Sequence, residues 1–202
     1  MANHVRFNLT FHKINDAAKE KLNEMYQRIR SSTDGEAWFS DMFVEGDLTY
    51  EETEQYSWTT EHIGPKWSYL EEFSEQDFYG YSAWSAPEEG VVKLLTILSE
   101  FDPKIVSYLT YEDEGPNFYG ANVYEGDELI DGFEEEYDEV IDRVIEDSER
   151  LTKESYDTDT EEWADDESRD IFDEEMWEVI NDAQITLIER TMEMIKDDQE
   201  NS

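Results

Sequence analysis

The 202-residue chain holds 55 Asp and Glu against 15 Lys and Arg, a net charge of −40, yet 38% of its residues are hydrophobic and 14% aromatic. Disordered acidic chains are poor in aromatics, so this one is expected to fold over most of its length, as one domain or as a small domain with an extension. The charge argues against direct binding to DNA, RNA or anionic membrane, whose phosphates it repels, and favours basic protein surfaces, including those that normally hold nucleic acid.

The first element is a strand. Val5, Phe7, Leu9 and Phe11 alternate with polar residues over 4–12, the period of a half-buried strand. It is expected at the centre of a sheet. A helix over 16–30 follows, with Asp16 as N-cap and Ala18, Leu22, Met25, Tyr26 and Ile29 at helical spacing. Residues 31–76 are aromatic-rich and broken by Gly46 and by Gly64-Pro65. They have room for one or two short strands and a short helix. DFYGYSAWSAP (77–87) reads as a strand. A helix over 87–101 has Pro87 in its first turn and Val91, Leu94, Leu95, Leu98 and Phe101 on one face. KIVSYLTYED (104–113) and NFYGANVYEGDEL (117–129) read as two further strands around a turn.

Past residue 130 the pattern changes. Phe133, Tyr137, Val140, Ile141, Val144, Ile145 and Leu151 predict a helix over 133–151. ESYDTDTEEWADDESRDIF reads as an acidic connection. Met176, Trp177, Ile180, Ala183, Leu187, Ile188 and Ile195 predict a last helix over 174–196. Residues 131–202 carry 29 acids against 6 bases, a net −23, and the first 130 carry 26 against 9, a net −17. The division expected is a domain over 1–130 with an aromatic-rich insertion at 31–76, and an acidic helical extension over 131–202. The fold class expected is α+β: a ferredoxin-like antiparallel sheet with two helices on one face, and the acidic C-terminal helices packed on it.

Four short motifs occur in order: GPKW (64–67), SAWSAP (82–87), PEEGVVKLLTILSEFDP and DEGPNFYG (113–120). Together they resemble the YubB-type ferredoxin-like domain of plasmid and phage proteins, over residues 1–130. The aromatic stretch 31–60 and the C-terminal helices lie outside that pattern. The resemblance implies a fold and a mobile-element origin, and brings no enzymatic activity with it.

Sites for chemistry are few. No Cys is present, so there is no disulfide framework, thiolate nucleophile or cysteine zinc site. His4 and His12 share the polar face of the first strand, about 27 Å apart along an extended chain, and His62 stands alone. DTDTEEWADDES (157–168) begins like a calcium loop, with Asp157, Asp159 and Glu161 alternating. Glu162 replaces the glycine needed at its sixth position, and Ser168 the glutamate at its twelfth. No phosphate loop, nucleophile elbow or HExxH is found, so no enzyme, cofactor or metal is expected. Trp67, Tyr69, Tyr79, Tyr81, Trp84, Phe118, Tyr119 and Tyr124 would suit a base-stacking platform, but lack the cations that hold phosphates. They are assigned to core and turn packing. MANHVRFNLTFHK has no signal-peptide apolar region, and no run reaches the roughly 18 residues of a membrane span. The expected location is the cytoplasm, that of the host if a phage encodes the chain.

EEWADDESRDIFDEEMWEV (161–179) sets Trp163, Ile171, Phe172, Met176 and Trp177 among carboxylates. The plain reading is that these five anchor the C-terminal helices. The functional reading is nucleic-acid mimicry. Carboxylates at every second or third helical residue approximate the phosphate spacing of one strand. On that reading the protein is a phage- or plasmid-encoded inhibitor. Its partner is a basic nucleic-acid-binding protein of the host, such as a defence nuclease, a restriction enzyme or a CRISPR-type complex. The contact residues are Glu134, Glu135, Asp138, Glu139, Asp142, Glu146, Asp147, Asp165, Asp166, Glu167, Asp173, Glu174 and Glu175. Two alternatives stay open: an interaction module that binds through aromatics, with Trp38, Phe39 and Trp58 first to test, and a halophilic protein of unrelated function. The oligomeric state, dimer included, is open as well.

Overall fold

A computed structural model describes residues 3–30, 37–115, 117–157, 160 and 162–200. β1 (His4–Lys13) buries Val5, Phe7, Leu9 and Phe11 on one face, as its alternation predicts. It is the central strand of a seven-stranded antiparallel sheet. On one side lie β4 (Asp77–Ala83), β3 (Ser68–Phe73) and the two-residue β2 (Ala37–Trp38); on the other lie β5 (Val106–Asp113), β6 (Phe118–Glu125) and β7 (Glu128–Glu136).

α1 (Asp16–Tyr26) and α4 (Glu88–Ser99) pack on the β1 face that carries Phe7 and Leu9. The cap of α1 is Asn15 rather than Asp16. Asn15 keeps an extended backbone and its side-chain oxygen accepts from the Ala18 amide at 2.9 Å. Asp16 is already helical, where its charge suits the positive end of the helix. The Asn15 amide donates to Asp102 Oδ2 at 2.7 Å, so the entry to α1 is tied to the exit of α4. α1 stops four residues earlier than its periodicity suggests. α4 likewise begins after Pro87 and ends at Ser99, which leaves Phe101 43% exposed instead of on the buried face.

The aromatic stretch adds to this core. A 3-10 turn at Phe39–Phe43 places Phe39 against Phe78 (ring centroids 5.4 Å) and Phe7 (6.3 Å). Two short helices, α2 (Tyr50–Thr53) and α3 (Tyr56–His62), close it over. Gly80 of β4 runs where a Cβ would collide with the Tyr69 carbonyl and press on the Phe7 ring, so this crossing tolerates no side chain.

The helix expected over 133–151 is only partly there. Residues 128–136 form β7, and α5 runs from Tyr137 to Asp147. Gly126, at φ +62°, turns the chain back beside β6, and Ala121 faces Phe133 across the pair. The spacing of Phe133 and Tyr137 suits a helix, but the open edge of β6 offers a full ladder of backbone hydrogen bonds, and pairing overrides local propensity. The strand thus runs through position 130.

The last helix is longer than expected. α6 runs from Asp166 to Glu200 without a break and takes in the end of the acidic connection; before it sit two short strands, β8 (Tyr156–Asp157) and β9 (Glu162–Trp163). Its buried stripe is Phe172, Met176, Ile180, Gln184, Leu187, Thr191 and Ile195, every third or fourth residue. α5 and α6 meet along Val140, Ile141, Val144, Phe172, Met176 and Ile180. They cover the β5–β7 half of the second face of the sheet, where Val106, Ala121 and Val123 of β5 and β6 meet Leu187 and Ile195. Buried Gln184 donates to the carbonyls of Tyr111 (3.3 Å) and Gly120 (3.1 Å) and so joins α6 to both strands. Of the five anchors, Phe172 and Met176 are buried, Trp163 and Ile171 half-buried, and Trp177 is 38% exposed. No helix among the described residues is long and apolar enough to cross a membrane.

Candidate functional site

α5 presents its acids because its apolar stripe takes the other side. Val140, Ile141 and Val144 are buried, while Asp138, Asp142 and Glu146, four residues apart, form one exposed ridge. Glu139 closes the start of the helix by accepting from the Glu136 amide at 3.2 Å. Asp165 does the same for α6. Its Oδ1 accepts from the Ser168 amide at 2.7 Å, and that bond holds its carboxyl below the usual range. Asp166, Glu167, Asp173 and Glu174 then face solvent, and Glu175 is half-buried.

Residues 166–182 hold eight acids and Arg169, a net −7 over about 25 Å of helix. That is one charge per about 3.6 Å, against roughly 3.4 Å along one strand of duplex DNA. α5 carries five acids and Arg143 over residues 137–147, a net −4 in about 16 Å. The shared seam sets these two rows side by side.

Not all thirteen predicted contact residues belong to that surface. Glu134 and Glu135 sit on β7, not on a helix. Glu134 accepts from the Tyr111 hydroxyl at 3.1 Å. Glu135 accepts from the Tyr119 hydroxyl and pairs with Arg143. These two carboxylates stitch β7 to the sheet and to α5. Arg150 lies 2.7 Å from Glu174 and 3.5 Å from Glu175, and Arg169 lies 4.0 Å from Asp173. Asp147 lies beside Glu135 and Arg143 in a recess between α5, α6 and β7. Asp138, Asp142, Glu146, Asp166 and Glu167 remain as the outward-facing set.

A second surface was assigned to packing at the sequence level. Tyr119 and Tyr124 are buried and Phe118 is half-buried, as that reading requires. Trp67, Tyr69, Tyr79 and Tyr81 are half-buried too, and of the eight only Trp84 is exposed. α6 covers only the β5–β7 half of the second sheet face. On the other half, Tyr69, Tyr81, Arg6 and Glu112 lie opposite one another across β3, β4, β1 and β5. Trp67 stacks on Tyr69 (5.5 Å, 20° between planes), Tyr69 meets Tyr81 (5.7 Å), and Tyr81 meets Tyr79 (5.4 Å). The Tyr79 hydroxyl donates to that of Tyr81 at 2.6 Å. The Arg6 guanidinium lies 6.0 Å over the Tyr81 ring and 3.6 Å from Glu112, whose carboxyl is pushed up by burial and drawn back by Arg6. Between these strands and Asn181 of α6 a recess of ≈ 160 Å³ opens. Trp84, next to the end of β4, is 57% exposed and holds φ +73°, a backbone state costly for a bulky side chain. The alternation in DFYGYSA, with Phe78, Gly80 and Ser82 on the core side, was the available signal for this face.

Among the aromatics of the insertion, Trp38 lies opposite Tyr69 across β2 and β3 and so continues this face. Phe39 is fully buried, and Trp38 and Trp58 are half-buried. His4 packs on Trp67 and lies 3.2 Å from Glu114; His62 stacks on Trp58. Among the described residues no group of three or more His, Asp or Glu is placed to hold a metal ion. Asp159 and Glu161 of the calcium-like stretch lie outside the described residues. No family model matches the chain, and neither a curated protein nor a solved structure does so.

Proposed function

We propose that the protein is an acidic decoy that occupies the nucleic-acid-binding surface of a basic partner through α5 and the first half of α6. The observation that carries this reading is the charge spacing on residues 166–182, close to that of phosphates along one DNA strand. The buried seam keeps the two rows in fixed positions, so little ordering entropy is lost on binding. Displaced counterions favour association, and the long-range field steers it. The order β3-β4-β1-β5, with α1 and α4 on one face, supports a ferredoxin-like unit inside the larger sheet. With the motif resemblance this favours a phage or plasmid setting, in which a host defence or nucleic-acid-processing protein is the partner.

The test is capture from a bacterial lysate on the immobilised protein, followed by competition. Basic nucleic-acid-binding proteins are expected to be retained at low salt and released by added duplex DNA or by about 0.5 M salt. Reversal of Asp138, Asp142, Glu146, Asp166 and Glu167 to Lys is expected to weaken capture by orders of magnitude. Each single reversal is expected to change affinity by only about 0.2–1 kcal/mol. A complex that holds DNA and the decoy together, and that the five-fold variant still forms, excludes the reading.

A further inference from the structure

The second surface calls for a different ligand chemistry from the first. Four half-buried rings stand in a row, with Trp67 stacked on Tyr69. The rim is anionic: Glu72 lies opposite Tyr79 across β3 and β4, and Glu71 beside it is exposed as well. The cation on the face, Arg6, is already neutralised by Glu112. A nucleic-acid strand laid here would find stacking partners and no cation for its phosphates, which single-strand binders need. A cationic planar group finds both of its complements. Arg6 itself displays the seat, its guanidinium over Tyr81 and beside a carboxylate.

We propose that the open half of the sheet docks an arginine-bearing extended segment of the partner, with guanidinium groups stacked on the Trp67–Tyr69–Tyr81–Tyr79 row and paired with the carboxylates at its rim. This rests on the reading that the partner is basic, and adds that it is recognised through arginine in particular. Guanidinium stacks on aromatic faces and sheds water more readily than ammonium, so the rings add a preference for Arg beyond the bidentate pairing that carboxylates give it. The recess between Tyr79, Glu112 and Asn181 gives one side chain a place to enter. Trp84, held exposed in a strained conformation, stands at the end of the strand that carries Tyr79 and Tyr81.

The experiment uses the full chain and two peptides of equal charge, six Arg-Ser repeats and six Lys-Ser repeats, with dodecathymidylate as the nucleic-acid probe. Calorimetry is expected to give about fivefold tighter binding of the Arg peptide and no binding of the oligonucleotide. Replacing Tyr69 and Tyr81 by Leu should lower the Arg-to-Lys ratio toward one, and replacing both by Phe should keep it. The acid reversals on α5 and α6 should weaken both peptides alike and leave the ratio intact. Should the Leu variant not fold, the wild type still decides: the Arg peptide must shift the indole N–H resonance of Trp67, identified by its absence in Trp67→Phe. A ratio near one in the wild type, a ratio that survives loss of the rings, a shift confined to other Trp residues, or tighter binding of the oligonucleotide overturns the proposal. Acid reversals without effect on either peptide would instead remove the decoy reading and leave the arginine preference standing.

Discussion

The second face of the sheet is two surfaces joined at β1 and β5. Over β5 and β6 the side chains under α6 include Val106, Ala121 and Val123, with Tyr108 beside them, and α6 lies on them with Leu187 and Ile195. Over β1 and β4 the same face carries Arg6, Asn8, Thr10, Tyr79 and Tyr81, and among the described residues no helix lies across it, α6 reaching only its edge at Asn181. Strand pairing is continuous across the boundary, so the backbone does not set the difference. Moving α6 one strand over would bury the Arg6–Glu112 pair, and the desolvation of two charges exceeds what their attraction returns. A helix covers the part of the sheet it can dry.

Phe172→Ala would break the covered half most severely. Phe172 is fully buried between Tyr137 and Trp163 (ring centroids 5.6 and 4.8 Å). A loss of about 3–5 kcal/mol is expected in urea unfolding; a loss under about 1 kcal/mol would mean that this seam does not hold α6. Gln184→Leu keeps the volume but removes two hydrogen bonds to strand carbonyls. It is expected to cost about 1–3 kcal/mol. The matching change on the open half, Asn8→Leu, should stay within about 0.5 kcal/mol. Equal costs for the two would erase the distinction between the halves.

Titration sharpens the comparison further. Burial pushes the carboxyls of Asp41, Glu88 and Glu112 up. A carboxyl whose folded pKa is raised binds its proton more readily when folded, so stability falls as pH rises through the window between its unfolded and folded values. That window opens at the ordinary carboxylate values of about 3.9–4.3 and extends upward. The melting temperature is therefore expected to climb as pH is lowered from 7 to about 5, and relief of self-repulsion adds to it. Asp131 and Asp165 shift the other way, held down by Arg190 and by the Ser168 amide, and their contribution is lost only below the ordinary range. Glu112→Gln should flatten part of the rise; an unchanged profile in that variant would place the effect elsewhere. The smallest effect expected is that of Arg190→Ala. It removes the exposed pair that ties α6 to Asp131 of β7, and about 0–1 kcal/mol should be lost.

Much of the core was legible in the chain. The alternation of β1 and the stripes of α1, α4, α5 and α6 name most of their buried residues, because burying one face demands a fixed period; Phe101 and Trp177 were expected inside and are exposed, and buried Gln184 and Thr191 were not expected. The boundaries were less legible. Asn15 and Asp16 are both good capping residues, and only the bond to Ala18 separates them. β7 was hidden because Glu134, Glu135 and Glu136 suit an exposed helix turn as well as an edge strand. Of the acidic surface, the ridge Asp138, Asp142 and Glu146 follows from spacing alone. That Glu135 serves Tyr119 and Arg143 does not follow, since those partners are 16 and 8 residues away and meet it only in the fold.

The sequence by itself determined that this protein folds, that β1 is buried on one face, and that its helices carry carboxylates outward. Composition and period suffice for these, because each concerns a residue and its near neighbours in the chain. Only the tertiary structure decided that 128–136 pairs with β6, that α6 stops short of β1, and that Trp67, Tyr69, Tyr79 and Tyr81 gather half-buried on the part of the sheet α6 leaves uncovered. Those outcomes depend on which of two sheet halves a distant helix can dehydrate at least cost, a competition between surfaces that no local pattern contains.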